Sequence, residues 1–305
     1  MGEMIETYRG EALAWEADEL GHMNMRYYFE RAAQARAAFF GQLHLPGAFK
    51  ARALSTLTAT RQHIKYHKEV RPGVGMAVRT GLLRLGETDI ELVHEITQSP
   101  QILAATIVET LSHISARTNK PFAWPKRVRA RADGFTIDMP QEAAPRNIDV
   151  GEALGHPSLA GAKKRGLQAI GRGMFSPAEC DVFGYVTPHA IIGRVSDSAQ
   201  HLKTAWPDLD FNSADAMSGA LLEAQAIHRN RPMAGDCYVM HSGLRKASTH
   251  VRELCHWILD PVSGKCWSTF IGVGCRFDLT TRRLVKIDDE TLALLKSGIV
   301  KELKP

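Results

Sequence analysis

Apolar residues recur at spacings of three and four through Met25, Tyr28, Phe29, Ala32, Ala35, Phe39 and Leu43. That is the pattern of a helix with one face turned to a core. Asn24 stands where a cap would accept a first-turn amide, and Pro46-Gly47 supplies the stop. A second helix is predicted through Ile191, Ile192, Val195, Ala199 and Leu202, opened by Thr187-Pro188 and stopped by Pro207. After each helix the period changes to two. Ile90, Leu92, His94 and Ile96 fall on one side of a strand, and Glu91, Val93 and Glu95 on the other. Strands of the same kind are predicted over 55–69, 75–86 and 102–116 and at their counterparts in the second half. A short strand precedes each helix, running to Glu16 and to about Cys180. One helix with a run of antiparallel strands gives an α+β layer in which the sheet wraps the helix.

The chain repeats itself. Glu16, Asp18 and Gly21 recur 163 positions later as Glu179, Asp181 and Gly184. Glu91-Leu-Val-His94-Glu-Ile returns as Glu253-Leu-Cys-His256-Trp-Ile, and Gly73 and Gly81 return as Gly235 and Gly243, all at an offset of 162. Several matches at nearly one spacing make two homologous halves. Domains are therefore expected at 1–131 and 166–305. The Pro- and Gly-bearing stretch 132–165 is the expected linker, with Lys126, Arg127, Arg129 and Arg131 just before it.

Composition adds exclusions. The 305 residues are 44% hydrophobic and 23% charged, an ordinary globular balance. The net charge of +5 is spread evenly, 19 basic and 17 acidic residues through position 150 and 19 and 16 after it. A nucleic-acid arm would be one-sided, so no nucleic-acid partner is expected, although an anionic ligand would suit. No apolar run is long enough to span a bilayer, and the opening Met1-Gly-Glu-Met-Ile-Glu is acidic where a secretory leader is basic. Five cysteines, an odd number without a CxxC pair, read as reduced core thiols of a cytoplasmic protein, with no zinc site.

The chemistry is concentrated in Asp18-Glu-Leu-Gly-His22-Met-Asn24. A carboxylate held in a turn just before a helix cap lies near unpaired first-turn N–H groups, which can polarise a carbonyl oxygen. A general base or nucleophile beside an oxyanion donor is the arrangement of acyl transfer. The same residues also suit an Asx-turn in which Asp18 only bonds backbone amides.

This motif, leading into Tyr27-Tyr28-Phe29-Glu30, resembles the hotdog-fold acyl-CoA thioesterases of the 4-hydroxybenzoyl-CoA type, and two copies resemble a tandem double hotdog. The resemblance implies two hotdog domains paired as an intrachain pseudo-dimer, with the acyl thioester of coenzyme A or an acyl-carrier protein between the halves. It implies thioester hydrolysis with Asp18 as base or nucleophile and the Met25 backbone amide as oxyanion donor. His22 and Asn24 would shape the loop and contact substrate. No metal or redox cofactor is implied, coenzyme A entering only as part of the substrate. Glu16, Ala17 and Met25 depart from the family's commonest residues, which bears on acyl specificity. Further self-association of the pseudo-dimer is compatible with this pattern.

In the second half Tyr185 replaces His22, Thr187 replaces Asn24, and Pro188, which has no N–H, stands at the position of Met25. Asp181, Tyr185 and Thr187 thus mark a degenerate second site. Lys65, Lys68 and Arg71, with the cluster at 126–131, are candidates for the phosphates of coenzyme A. His94 and His256 read as buried structural histidines, and His63 and His67 lack a third metal ligand. Two other functions fit the fold: a hydratase or dehydratase, whose Asp-x-Asn-x-x-His pattern is absent, and a non-catalytic acyl-CoA-binding module.

Overall fold

The computed structural model describes residues 2–206, 217–281 and 283–305. Pro207, the predicted helix stop, lies outside them. The chain divides into two compact units, Met1–Pro145 with Cys180–Ala190, and Arg146–Glu179 with Ile191–Pro305.

In the first unit β1 (Ile5–Glu11) leads through a 3-10 turn at Ala14–Glu16 to α1 (Met25–Gln42). Four strands follow: β2 (Ser55–Tyr66), β3 (Gly75–Leu85), β4 (Asp89–Gln98) and β5 (Ile102–Ser115). They form an antiparallel sheet in the order β1-β3-β4-β5-β2. The expected strand up to Glu16 therefore stops earlier, at Glu11. The helical face is the one the spacing predicts: Tyr28, Phe29, Ala32, Ala35, Phe39 and Leu43 are buried, and α1 packs on β1, β3, β4 and β5. Burial of this face, at about 25 cal/mol per Å² of apolar area, is what holds an 18-residue helix against its sheet.

The second unit contains α3 (Leu159–Lys164), β6 (Gln168–Met174), β7 (Met217–His228), β8 (Cys237–Ala247), β9 (Val251–Leu259), β10 (Cys266–Asp278), β11 (Arg283–Val285) and α6 (Asp289–Ser297). Its main strands take the equivalent order β6-β8-β9-β10-β7, with β11 on β10. Even the irregularities repeat. The β1–β3 bulge at Glu6/Tyr8 returns at Ala169/Gly171, and that of β3–β4 at Leu82/Arg84 returns at Leu244/Lys246.

The structure adds detail to three readings. The second helix is not continuous: α4 (Pro188–Asp197) and α5 (Ala199–Ala205) are separated at Ser198, where the first half has Ala35 inside α1. The stretch 132–165, the expected linker, packs on both units. Ile137 donates to Leu82 and Ala143 packs on Val93 and Val108 in the first unit, while Ile148 and Ala162 join a core with Trp257 in the second. Of the five free cysteines Cys255, Cys266 and Cys275 are buried, but Cys180 is half-buried and Cys237 is exposed, so the description as core thiols holds for three. No helix among the described residues is long and apolar enough to cross a membrane.

Candidate active site

The Asp18 turn is fixed by its own backbone. Asp18 N donates to the His22 carbonyl at 2.8 Å and Gly21 N to the Asp18 carbonyl at 3.1 Å. Gly21 has φ +73°, which favours glycine. Asp18 Oδ1 accepts from Leu20 N at 2.9 Å and His22 N at 3.2 Å, an Asx-turn arrangement. Its second oxygen carries no hydrogen bond among the described residues. Glu16 anchors the turn from below: one oxygen accepts from Leu13 N at 3.1 Å and the other takes Arg31 of α1, both groups being buried. Gly21→Ala, which meets no neighbour within 4 Å but must adopt the left-handed conformation, is expected to destabilise the first unit by about 1 kcal/mol, read from its denaturant midpoint.

The turn delivers the chain to the start of α1. Asn24 caps it, Oδ1 accepting from Arg26 N at 3.1 Å and the carbonyl accepting from Tyr27 N at 3.0 Å. Met25 N, the first helical amide, has no acceptor among the described residues, leaving an N–H with the partial positive charge of a helix start.

A further acid, unmarked in the sequence reading, completes the group. Met23 N donates to the Val70 carbonyl at 2.8 Å, tying the turn to the segment after β2. This brings Glu69 to His22, with Nε2 3.3 Å from Oε2, an ion-pair separation without hydrogen-bond alignment. Tyr28, one turn into α1, points its phenol at the Val70 backbone. Burial, followed by the charges of Glu69 and Asp18, pushes its pKa well up, so the hydroxyl stays protonated. Asp18, His22, Met25 N, Tyr28 and Glu69 are thus gathered from three segments of one unit.

Of the proposed phosphate contacts, Lys68 and Arg71 are exposed on either side of Glu69, at this site. Lys65 is engaged instead, Nζ donating to the Ala144 carbonyl at 2.8 Å. The cluster Lys126, Arg127, Arg129 and Arg131 lies on α2 (Lys126–Ala132), where Arg127 donates to the His44 carbonyl just beyond the far end of α1. An 18-residue helix is about 27 Å long, so this cluster is not part of the site.

The second motif keeps the turn and differs in the residues around it. Asp181 Oδ1 accepts from Phe183 N at 2.9 Å and Tyr185 N at 3.0 Å, and Gly184 has φ +84°. Glu179 pairs with Arg194 as Glu16 does with Arg31. But α4 begins at Pro188, the Tyr185 hydroxyl accepts from Asn119 Nδ2 at 2.6 Å, and Arg231 stands where the first half has Glu69. Thr187 Oγ1 meets His189 Nε2 at 3.1 Å. Burial, then the charges of Arg26 and Arg36, pulls the His189 pKa down to about 4, keeping its ring neutral. Among the described residues no three His, Cys, Asp or Glu side chains gather as metal ligands.

The profile of the Thioesterase-like superfamily matches residues 12–132. That match spans 121 of the 305 residues, all of them in the first half. On that match the chain is read as a thioester hydrolase, at the level of the superfamily and not of the 4-hydroxybenzoyl-CoA type in particular. Similar solved structures extend the likeness of fold over both halves. One from Lactobacillus plantarum, described as an oleoyl thioesterase, is 12% identical, with a TM-score of 0.68 over 90% of this chain and 96% of its own. The 12:0-ACP thioesterase of Umbellularia californica is 10% identical, with 0.67 over 90% and 94%. An acyl-ACP thioesterase from Bacteroides thetaiotaomicron is 12% identical, with 0.64 over 88% and 96%. The fold is thus the thioesterase hotdog-like one. No curated protein matches the sequence.

Proposed function

We propose that the chain is a tandem double hotdog that hydrolyses acyl thioesters of coenzyme A or of an acyl-carrier protein, with the working centre at the Asp18 motif. The observation that carries this reading is the unengaged Met25 amide at the start of α1, beside a carboxylate with one oxygen committed to the turn and one free. The thioester carbonyl oxygen sits on the Met25 N–H. The free oxygen of Asp18 takes a proton from water as it attacks the carbonyl carbon, and the oxyanion formed is held by the amide and the helix dipole. Collapse breaks the C–S bond and releases the acid and the thiol, the proton taken from water passing from Asp18 through His22 to the departing sulfur. Glu69 holds the imidazole ready for that proton. Lys68 and Arg71 offer charge to a phosphopantetheine or nucleotide phosphate. Two of the structural relatives are named for acyl-ACP substrates, which supports the carrier-protein form.

The test is thiol release from a panel of acyl-CoA and acyl-carrier-protein thioesters. Release from at least one is expected, and Glu69→Gln is expected to lower kcat about 10- to 100-fold with KM little changed. Silence on every thioester from folded protein would favour the hydratase or the binding module. An unchanged Glu69→Gln rate would remove that residue from the mechanism.

A further inference from the structure

The two units differ sharply at one place. In the first, β1 fills the groove beside α1 with Tyr8, whose ring lies 5.3 Å from the guanidinium of Arg31. The equivalent of Tyr8 on β6 is Gly171, fixed by register: Tyr8 pairs with Val78 and Gly171 with Met240, 162 residues further on. With the ring gone and the helix interrupted at Ser198, the second unit has a cavity of about 330 Å³ between β6, β8 and the α4–α5 break.

Its walls have been made polar. Asp197, Ser198 and His201 stand where α1 has Gln34, Ala35 and Ala38, and Tyr238 stands where β3 has Met76. The charge balance changes as well. On β1, Arg9 is neutralised by Glu6 three residues before it, at 2.9 and 2.8 Å. The equivalent pair on β6 is Arg172 and Ala169, so Arg172 lines the cavity without a partner among the described residues. His201 and the Tyr238 hydroxyl are likewise unengaged there. Arg194 is already held by Glu179 and, at 2.9 Å, by Asp197.

We propose that this cavity is a binding site for a compact phosphate or phosphate monoester, held by Arg172, His201 and the Tyr238 hydroxyl. Donors brought in from a strand, a helix and a second strand suit the several oxygens of a phosphoryl group, and guanidinium groups bind such oxygens in pairs. Asp197 is held against Arg194 at 2.9 Å, and Arg172 is the positive charge that the first unit balances with Glu6 and the second leaves unbalanced. A cavity of this size takes a mononucleotide or smaller. The site is independent of thioester hydrolysis, and so is its test.

The test is calorimetric titration of the full chain with inorganic phosphate, adenosine monophosphate and acetate. Saturable binding of phosphate or the nucleotide, with Kd at or below about 1 mM, is expected, the tighter of the two naming the source. Ala169→Glu, which restores on β6 the pairing of Glu6 with Arg9, is expected to weaken it at least tenfold, and so is Arg172→Ala. Both positions are exposed, so both variants are expected to fold, checked by circular dichroism. Absence of saturable binding, binding unchanged by Ala169→Glu, or acetate binding as tightly as phosphate would each overturn the assignment.

Discussion

Asp18→Asn is expected to lose thioester hydrolysis by about 10³-fold or more in kcat, the upper part of what a positioned general base contributes. Asparagine keeps the shape of the side chain, and its amide oxygen can still accept from Leu20 and His22. The turn, the Asn24 cap and the unengaged Met25 amide therefore survive, and the thermal midpoint is expected to move little. What disappears is a basic oxygen facing the carbonyl. If Asp18 only held the turn, the variant would behave in reverse, with a near-normal rate and any change confined to stability.

The control lies in the same chain. Asp181→Asn is expected to keep most of the activity, because three parts of the chemistry are missing around it. Pro188 has no amide proton, Tyr185 cannot relay a proton as His22 does, and Arg231 replaces the carboxylate of Glu69. A single oxyanion donor is worth about 10²–10³ in rate, so the proline alone makes that site slow. Equal losses in the two variants would mean two working sites and would defeat the argument from Pro188.

Much of this was open to a reader of the sequence because a repeat carries its own control. The helix face, the strand positions and the Asp turn follow from local rules of period, cap and glycine, and both halves obey them. Glu69 escaped because it belongs to no local pattern: it lies 47 residues beyond His22 and reaches it only when Met23 bonds to Val70. The signal was present in the repeat, since Glu69 and Arg231 are opposite charges at equivalent positions next to otherwise matching strands. The break at Ser198 escaped for a different reason. A serine among good helix formers is a weak local sign, and the outcome depends on whether a ring such as Tyr8 supports the helix from the strand below. His94 is a buried histidine whose partners lie on the neighbouring strands, which sequence spacing cannot supply.

Those partners give the largest expected effect on stability. Glu109, wholly buried on β5, accepts from Arg36 at 2.8 Å and from Gln62 at 3.0 Å, and meets His94 Nε2 at 3.1 Å. The chain of contacts continues from His94 to Thr80 at 2.8 Å and Thr7 at 2.7 Å, one residue on each of the five strands. Burial pushes the Glu109 pKa up, but Arg36, then His94 and Gln62, outweigh it and bring it to about 2. A carboxylate whose pKa is lowered on folding stabilises the fold above its ordinary range, and that contribution fades as the pH falls from about 4.5 towards 2. Glu109→Ala is therefore expected to cost about 3–5 kcal/mol at pH 7, since it strands the buried Arg36 charge. The difference from wild type should shrink on acidification, followed by denaturant unfolding at pH 7 and pH 3. The double variant Glu109→Ala with Arg36→Met should recover part of the loss, because an absent pair costs less than a broken one. The second unit supports that last expectation. It has Gly272, Ala199 and Ala224 at the positions of Glu109, Arg36 and Gln62, and its His256 sits buried with a pKa drawn down to about 4. The same sheet order closes there without the ion pair. A double variant no more stable than Glu109→Ala alone would show that the loss comes from packing around the carboxylate and not from the uncompensated guanidinium.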